Sequence, residues 1–177
     1  MPAGPLILED GSGPGLRACN AQTWRCVSDQ VMGGVSSATL AREQVAGAMA
    51  LRLRGQVRLE NNGGFVQMAL DLAPGGAGFD ASGFGGIGLR LRGNGASYNV
   101  HLRSRDLTRV WQSYRARVTA AGAWQDVMLP FAAFHPHRTD APLDRRRLTR
   151  IGLVAIGEVM EADLALARLW LYPEAGG

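Results

Sequence analysis

Apolar and polar residues alternate at every second position along much of this 177-residue chain. In residues 48–54, Met49, Leu51 and Leu53 fall on one side of the chain and arginines fall on the other. This period of two is typical of β-strands with one buried face. The pattern predicts further strands at residues 6–8, 24–27, 36–42, 64–72, 85–93, 98–103, 111–118, 124–131, 151–156 and 164–172.

The connections between these segments define the predicted fold class. The 24 glycines are spread along the chain, as expected where short strands are joined by tight turns. Helical periodicity is scarce, so we predict an all-β fold with two packed sheets. Long connectors at 73–84 and 132–148 favour a jelly-roll β-sandwich, with one domain at residues 20–173 after an N-terminal segment at 1–19. We expect a bulge near Arg168 and core positions for Trp24 and Trp170.

Composition indicates a globular protein and limits its location. The chain is 46% hydrophobic and 19% charged, and no apolar run approaches the roughly 20 residues that span a bilayer. The first ten residues lack the features of a secretory signal, so we expect a cytoplasmic protein without a transmembrane segment. The basic residues are all arginine, which is typical of a GC-rich, bacterial genome. Cys19 and Cys26 fit no metal or redox spacing, and we predict free, partly buried thiols.

Catalytic, metal and cofactor motifs are not found in the sequence. His101, His135 and His137 lie outside any recognisable nucleophile motif, and no G-x-S-x-G turn is present. The glycines at 83–88 precede a strand rather than a helix, which argues against a dinucleotide site. We therefore predict no catalytic residues, no metal, no cofactor and no enzyme activity.

Arginines and aromatic residues are candidates for ligand binding. The arginines that alternate with apolar residues indicate either a solvated outer face or a surface that recognises an anionic ligand. They are Arg52, Arg54, Arg90, Arg92, Arg103, Arg105, Arg115 and Arg117. Exposed rings stack on sugars, whereas buried rings only stabilise the core. The candidates are Trp111, Tyr114 and Trp124.

Two short motifs concentrate turn-forming residues. In the first, Trp24–Ser36, a strand is followed by Ser28, Asp29 and a glycine pair. The second, Leu59–Phe65, has an Asn-Asn pair followed by a glycine pair. Asparagine and glycine tolerate left-handed backbone, and serine and aspartate cap nearby amides. We expect the two turns to pack side by side. They have either a structural role or a role as one rim that binds a ligand or partner.

The first motif resembles the signature of the complex I intermediate-associated protein family, the thirty-kilodalton assembly factors of NADH:ubiquinone oxidoreductase. The second motif is similar to the next block of that family. The resemblance extends through residues 88–93 and 124–134 and covers about residues 20–172. It implies a galactose-binding-domain-like β-sandwich with a role in assembly or protein interaction.

These observations predict a non-catalytic protein-interaction module that resembles complex I assembly factors, with a chaperone-like role and a protein partner. The alternative hypothesis is a module that binds a carbohydrate or a small anionic ligand. We expect no nucleic-acid partner. The candidate ligand- or partner-binding residues are Ser28, Asp29, Met32, Asn61, Asn62, Arg103 and Trp111.

Overall fold

The computed structural model describes residues 4–175, and within them the chain forms twelve β-strands and five short 3-10 turns. The strands are β1 (Leu6–Glu9), β2 (Arg25–Ser28), β3 (Ser37–Val45), β4 (Ala48–Val57), β5 (Phe65–Asp71), β6 (Phe84–Gly93), β7 (Ser97–Ser104), β8 (Ser113–Thr119), β9 (Gln125–Pro130), β10 (His135–His137), β11 (Leu148–Ile156) and β12 (Met160–Pro173). Among the described residues, no helix is long and apolar enough to cross a membrane.

The strands form two antiparallel six-stranded sheets. The first sheet has the order β3-β4-β12-β6-β9, and β1 pairs with β12 beside this path. The second sheet has the order β10-β8-β7-β11-β5-β2. Most neighbours in space are distant in the chain, as in a jelly-roll sandwich, so the predicted fold class is confirmed.

The hydrophobic core fills the space between the two sheets. Inward positions alternate with outward ones along each strand, as the period of two predicts. The first sheet contributes Leu51, Leu53, Ile87, Leu89, Leu91, Leu164, Leu166, Leu169 and Leu171. The second sheet contributes Val66, Met68, Leu70, Tyr98, Val100, Leu102, Tyr114, Ile151 and Leu153.

The predicted bulge near Arg168 is present, because the register between β12 and β6 shifts between Leu166 and Arg168. Trp24 is buried in the core, as expected. Trp170 is not a core residue. It lies on the outer face of the first sheet over Gly88, where any side chain would collide with the indole, and Arg168 stacks on it at 5.2 Å.

Two local predictions near β8 are wrong. The strand begins at Ser113, so Trp111 lies in the preceding loop rather than in a strand. His135–His137 is the edge strand β10 rather than an irregular connector, and Pro136 lies opposite Tyr114. Proline fits this position because an edge strand has one side free of ladder hydrogen bonds. Cys19 and Cys26 are free, as predicted, but exposed rather than partly buried.

The alternating arginines do not form one array. Arg52, Arg54, Arg90 and Arg92 lie on strands of the first sheet, whereas Arg103, Arg115 and Arg117 lie on the second. Strand alternation shows that a side chain points outward, but it does not show to which sheet the strand belongs.

Candidate functional site

Asp29 is the centre of the first motif. Strand β2 ends at Ser28, whose hydroxyl accepts a hydrogen bond from the amide of Gln30 at 3.3 Å. A single 3-10 turn, Asp29–Met32, follows this cap. The turn directs the Asp29 side chain inward, where it is fully buried.

The Asp29 carboxylate joins the two motifs. Its Oδ1 accepts a hydrogen bond from the Ser36 amide at 3.0 Å, and its Oδ2 accepts one from the Ser36 hydroxyl. Oδ2 also accepts hydrogen bonds from the amides of Gly64 at 2.6 Å and Phe65 at 3.2 Å, both from the second motif. Burial favours a higher pKa for the carboxyl, but these four donors together hold its pKa below the ordinary value. The predicted side-by-side packing of the turns is therefore confirmed.

In each glycine pair, one glycine has a positive φ angle and the other lies against the Asp29 carboxylate. Gly33 and Gly64 have positive φ angles of 85° and 132°, which strongly favour glycine. Gly34 and Gly63 lie directly against the Asp29 carboxylate, so a Cβ would fall 2.4 Å from Oδ1 at Gly34 and 2.5 Å from Oδ2 at Gly63. One glycine of each pair turns the chain, and the other gives the backbone room beside the buried charge.

The two asparagines form the tip of the second motif. Asn61 and Asn62 both have left-handed backbone, with φ angles of 60° and 59°. The Asn61 amide nitrogen donates to the Gly33 carbonyl at 3.1 Å, which ties the two turns together a second time. Asn62 is exposed. Ser28, Asp29 and Asn61 thus make internal hydrogen bonds.

Apolar side chains surround this network on the outside. Gly157, in the turn between β11 and β12, donates to the Gly64 carbonyl at 2.9 Å and brings a third turn to the same end of the sandwich. Together the three turns expose five large apolar side chains, which we call the apolar rim: Val31, Met32, Val35, Leu59 and Val159. Only Met32 was singled out from the sequence. The available signal for the others was apolar residues within turns, outside any strand alternation.

Arg103 and Trp111 lie far from this rim. β5 begins at Phe65, beside Asp29, and ends at Asp71. In the register of the second sheet, Asp71 lies opposite Arg150 of β11, which in turn lies opposite Arg103 of β7. Six residue steps along a strand correspond to about 20 Å. The seven candidate residues are therefore split into two groups at opposite ends of the second sheet.

Arg103 organises the loop that carries Trp111. Its Nη1 donates to the carbonyls of Arg109 at 3.1 Å, Val110 at 3.2 Å and Gln112 at 2.5 Å. Trp111 is 56% exposed, and the Arg109 guanidinium lies 5.9 Å from the centroid of its ring. The structure thus brings these two candidate residues into one neighbourhood.

The outer face of the second sheet has a recessed floor. Ala69, Gly152 and Val154 alternate with core residues and face outward, yet all three are buried. One cleft of about 490 Å³ opens at the Arg103 end, lined by Asp71, Gly75, Gly76, Arg103, Ser104, Arg105, Leu107, Thr149 and Arg150. A second cleft of about 250 Å³ opens at the other end, lined by Ser97, Asn99, Arg117, Val154, Ile156, Gly157 and Glu158.

Tyr114 and Trp124 do not share this exposure. Tyr114 is fully buried, and its hydroxyl donates toward the carbonyls of Ala141 at 2.9 Å and Pro142 at 3.2 Å. Trp124 is half-buried on the first sheet, where its Nε1 donates to the Ala46 carbonyl at 3.2 Å. Of the three rings considered for sugar stacking, Trp111 is the exposed one. Within residues 4–175, no group of three or more His, Cys, Asp or Glu side chains is placed to hold a metal ion.

Comparison with protein families gives one match. Residues 16–167 match the family model described as complex I intermediate-associated protein 30. The match spans most of the chain and includes both turn motifs. A comparison with curated protein sequences gave no significant match.

Solved structures with this fold include carbohydrate-binding modules. A family 11 module from Clostridium thermocellum, in complex with a β-1,3-1,4-mixed-linked tetrasaccharide, is 14% identical with a TM-score of 0.74, covering 97% of this chain and 96% of that chain. A family 30 module of a C. thermocellum cellulosomal cellulase is 15% identical with a TM-score of 0.68, covering 98% of this chain and 100% of that chain. An agarase is 13% identical with a TM-score of 0.63, and the match covers 98% of this chain and 25% of the agarase.

Proposed function

Because the chain belongs to the complex I intermediate-associated protein 30 family, we propose that it is a non-catalytic module that binds a protein partner during assembly of a respiratory complex. The observation that carries this proposal is the apolar rim. Its five residues are half of the ten large apolar side chains exposed in residues 4–175, and they surround the turns on which the family resemblance depends.

The chemistry of the rim favours a protein partner over a polar ligand. Ser28, Asp29 and Asn61 make hydrogen bonds within the turns. The five large apolar side chains of the rim are exposed around them, interspersed with polar residues such as Gln30, Glu60 and Asn62. Clustered exposed apolar side chains are typical of protein-interaction surfaces, and methionine adapts well to a partner. The Asp29 hydrogen bonds hold the turns in place before binding, which lowers the entropy lost on association.

The test is recovery of a partner by a tagged chain from its native host. We compare the wild type with the rim variant Met32→Ser/Val159→Ser and with the matched control Met49→Ser/Met128→Ser, whose residues are also exposed but lie outside the rim. The rim variant loses two apolar side chains that the partner would bury. We expect its affinity for the partner to fall on the order of tenfold or more, while its unfolding temperature stays unchanged. Respiratory-complex subunits recovered by wild type and control but not by the rim variant support the proposal. Equal recovery by all three contradicts it.

The same proposal includes a cytoplasmic location in a bacterial host. Two free and exposed cysteines support a reducing compartment, and the absence of lysine among the basic residues supports a GC-rich bacterial genome. Fractionation of host cells, followed by detection of the chain with an antibody, tests the location. Recovery from the periplasm or the medium is the contrary result.

The second candidate function is carbohydrate binding on the outer face of the second sheet. The recessed floor and its two clefts favour it, because ligand sites are concave with a few polar groups that converge. The exposed Trp111 ring beside Arg103 offers a stacking surface at one end. The mixed-linked tetrasaccharide bound by the family 11 module of similar fold supports the same idea. Calorimetric titration of the full chain with neutral oligosaccharides tests this function.

A further inference from the structure

Positive charge is concentrated on the recessed face of the second sheet. Arg103, Arg105 and Arg150 line the larger cleft. Arg115 lies across the strand pair from His101, next to the recessed floor. We call this set of four arginines and His101 the cationic groove.

Carboxylates do not balance these charges within residues 4–175. Asp71 is the one acidic residue that lines the larger cleft, and it already pairs with Arg25 at 2.9 Å and with Arg150 at 3.2 Å. Arg103, Arg105 and Arg115 form no ion pair in the described residues. Burial, followed by repulsion from Arg150, lowers the pKa of Arg103. Burial, followed by repulsion from Arg138, lowers the pKa of Arg115.

His101 adds an unused hydrogen-bonding group to the groove. Its Nε2 is buried and has no hydrogen-bond partner, although buried polar atoms are normally paired. Burial and the nearby Arg115 lower the pKa of His101 to about 3, so the ring is neutral at physiological pH. Across from it lies Gly152, where a Cβ would fall 2.8 Å from the Gln67 side chain oxygen. The Gln67 amide and the small floor residue Gly152 suit a ligand that offers hydroxyl groups, and the neutral imidazole is buried beside them.

We propose that the cationic groove binds an acidic oligosaccharide whose carboxylate or sulfate groups pair with Arg103, Arg105, Arg115 and Arg150. Arginine matches such oxyanions with paired hydrogen bonds. This proposal rests on the second candidate function and names the class of saccharide. An extended single-stranded nucleic acid would need several aromatic platforms, and no aromatic residue lines either cleft.

The experiment titrates the full chain with four probes by calorimetry: oligogalacturonate, a sulfated agar-type oligosaccharide, the neutral mixed-linked tetrasaccharide and polyglutamate. The groove variant is Arg105→Gln/Arg115→Gln, which leaves the loop held by Arg103 intact. The matched control is Arg54→Gln/Arg90→Gln on the first sheet. We expect one acidic saccharide to bind, with about a tenfold loss of affinity in the groove variant and none in the control. Affinity for the acidic saccharide should also fall when the salt concentration is raised from about 50 to 300 mM, because salt screens the attraction between the arginines and the acidic groups.

Each other outcome overturns the proposal in a distinguishable way. If the neutral tetrasaccharide binds as tightly as the acidic ones, the charge assignment fails and the carbohydrate function stands. If no saccharide binds, the second candidate function fails with it. If polyglutamate binds as tightly as the acidic saccharides, the groove recognises charge alone. Equal loss of affinity in the groove variant and the control excludes the groove as the site.

Discussion

At the scale of single residues, contacts with the buried Asp29 carboxylate explain the composition of both turn motifs. An isolated buried carboxylate is costly, but four donors from Ser36, Gly64 and Phe65 compensate this one. Gly34 and Gly63 are small because the backbone passes against the same carboxylate. The serine and glycine positions around Asp29 are thus explained by packing and hydrogen bonding to its carboxylate.

Replacing Asp29 by asparagine should destabilise the fold in a pH-dependent way. The folded-state pKa of Asp29 is lowered, so its stabilisation is present above the unfolded pKa of about 3.9 and is lost as pH falls through the folded pKa. We expect Asp29→Asn to lower the free energy of unfolding by about 2–4 kcal/mol at pH 7, and by less below pH 4. Urea unfolding at several pH values measures this difference.

The control for that experiment is Asp126→Asn. Asp126 lies on an exposed strand and pairs with Arg90 at 3.5 Å, so its replacement should cost less than about 1 kcal/mol. A difference between wild type and Asp29→Asn that stays constant from pH 7 to pH 3 would contradict the role assigned to the carboxylate.

At the scale of elements, a buried ion pair joins β1 to β3 within the first sheet. β1 pairs with β12, and the Glu9 carboxylate accepts hydrogen bonds from the Trp24 indole at 3.0 Å and the Gly11 amide at 2.7 Å. Arg42 of β3 forms a bidentate pair with Glu9, and both side chains are almost fully buried. The pair therefore connects β1, β3 and the approach to β2.

Removing Arg42 should release the N-terminal strand. Arg42→Met leaves Glu9 as a buried charge without its ion-pair partner, and we expect a loss of about 3–5 kcal/mol in the free energy of unfolding. Hydrogen exchange should become faster in β1 more than in β7. The double variant Glu9→Gln/Arg42→Met should recover part of the loss, because it removes the uncompensated charge. Additive losses would show that the two side chains are not coupled.

At the scale of the whole molecule, the sandwich holds the apolar rim apart from the larger cleft, whereas the smaller cleft adjoins the turn that carries Val159 of the rim. The apolar rim lies where β5 begins and the larger cleft lies where β5 ends. Between them, β5 pairs with β11 along its whole length and with β2 over Val66–Ala69. We therefore expect that a protein partner at the rim and a ligand in the larger cleft would not compete for the same residues.

The two surfaces should act independently. The rim variant Met32→Ser/Val159→Ser should leave oligosaccharide affinity within about twofold of wild type, since sites more than about 10 Å apart with no shared contacts are usually additive. The groove variant should likewise leave partner recovery unchanged. Titration and partner recovery on the same two proteins measure this. A loss of both activities in either variant would indicate one shared surface.

The residue types and backbone conformations of the site could be predicted from the sequence, but the directions of its side chains could not. The Asn-Asn and Gly-Gly pairs predict left-handed backbone in the two turns, because few other residues adopt that conformation. Both turns contain residues with positive φ angles. Ser28, Asp29 and Asn61 were identified as one group. Their inward direction was not predictable, since a turn aspartate has the same local sequence whether it faces water or the core.

The amino-acid sequence by itself determined the strands, their buried faces, the turn chemistry and the family resemblance. Each of these depends on neighbours within a few residues, through strand alternation or backbone preference. Only the tertiary structure decided which strands pair and in which register. The pairing placed Arg103 and Trp111 at the opposite end of the second sheet from Asp29, put Trp170 over Gly88 on an outer face and made His135–His137 an edge strand. The physical reason is that strand pairing joins residues far apart in the chain, and alternation carries no information about the partner.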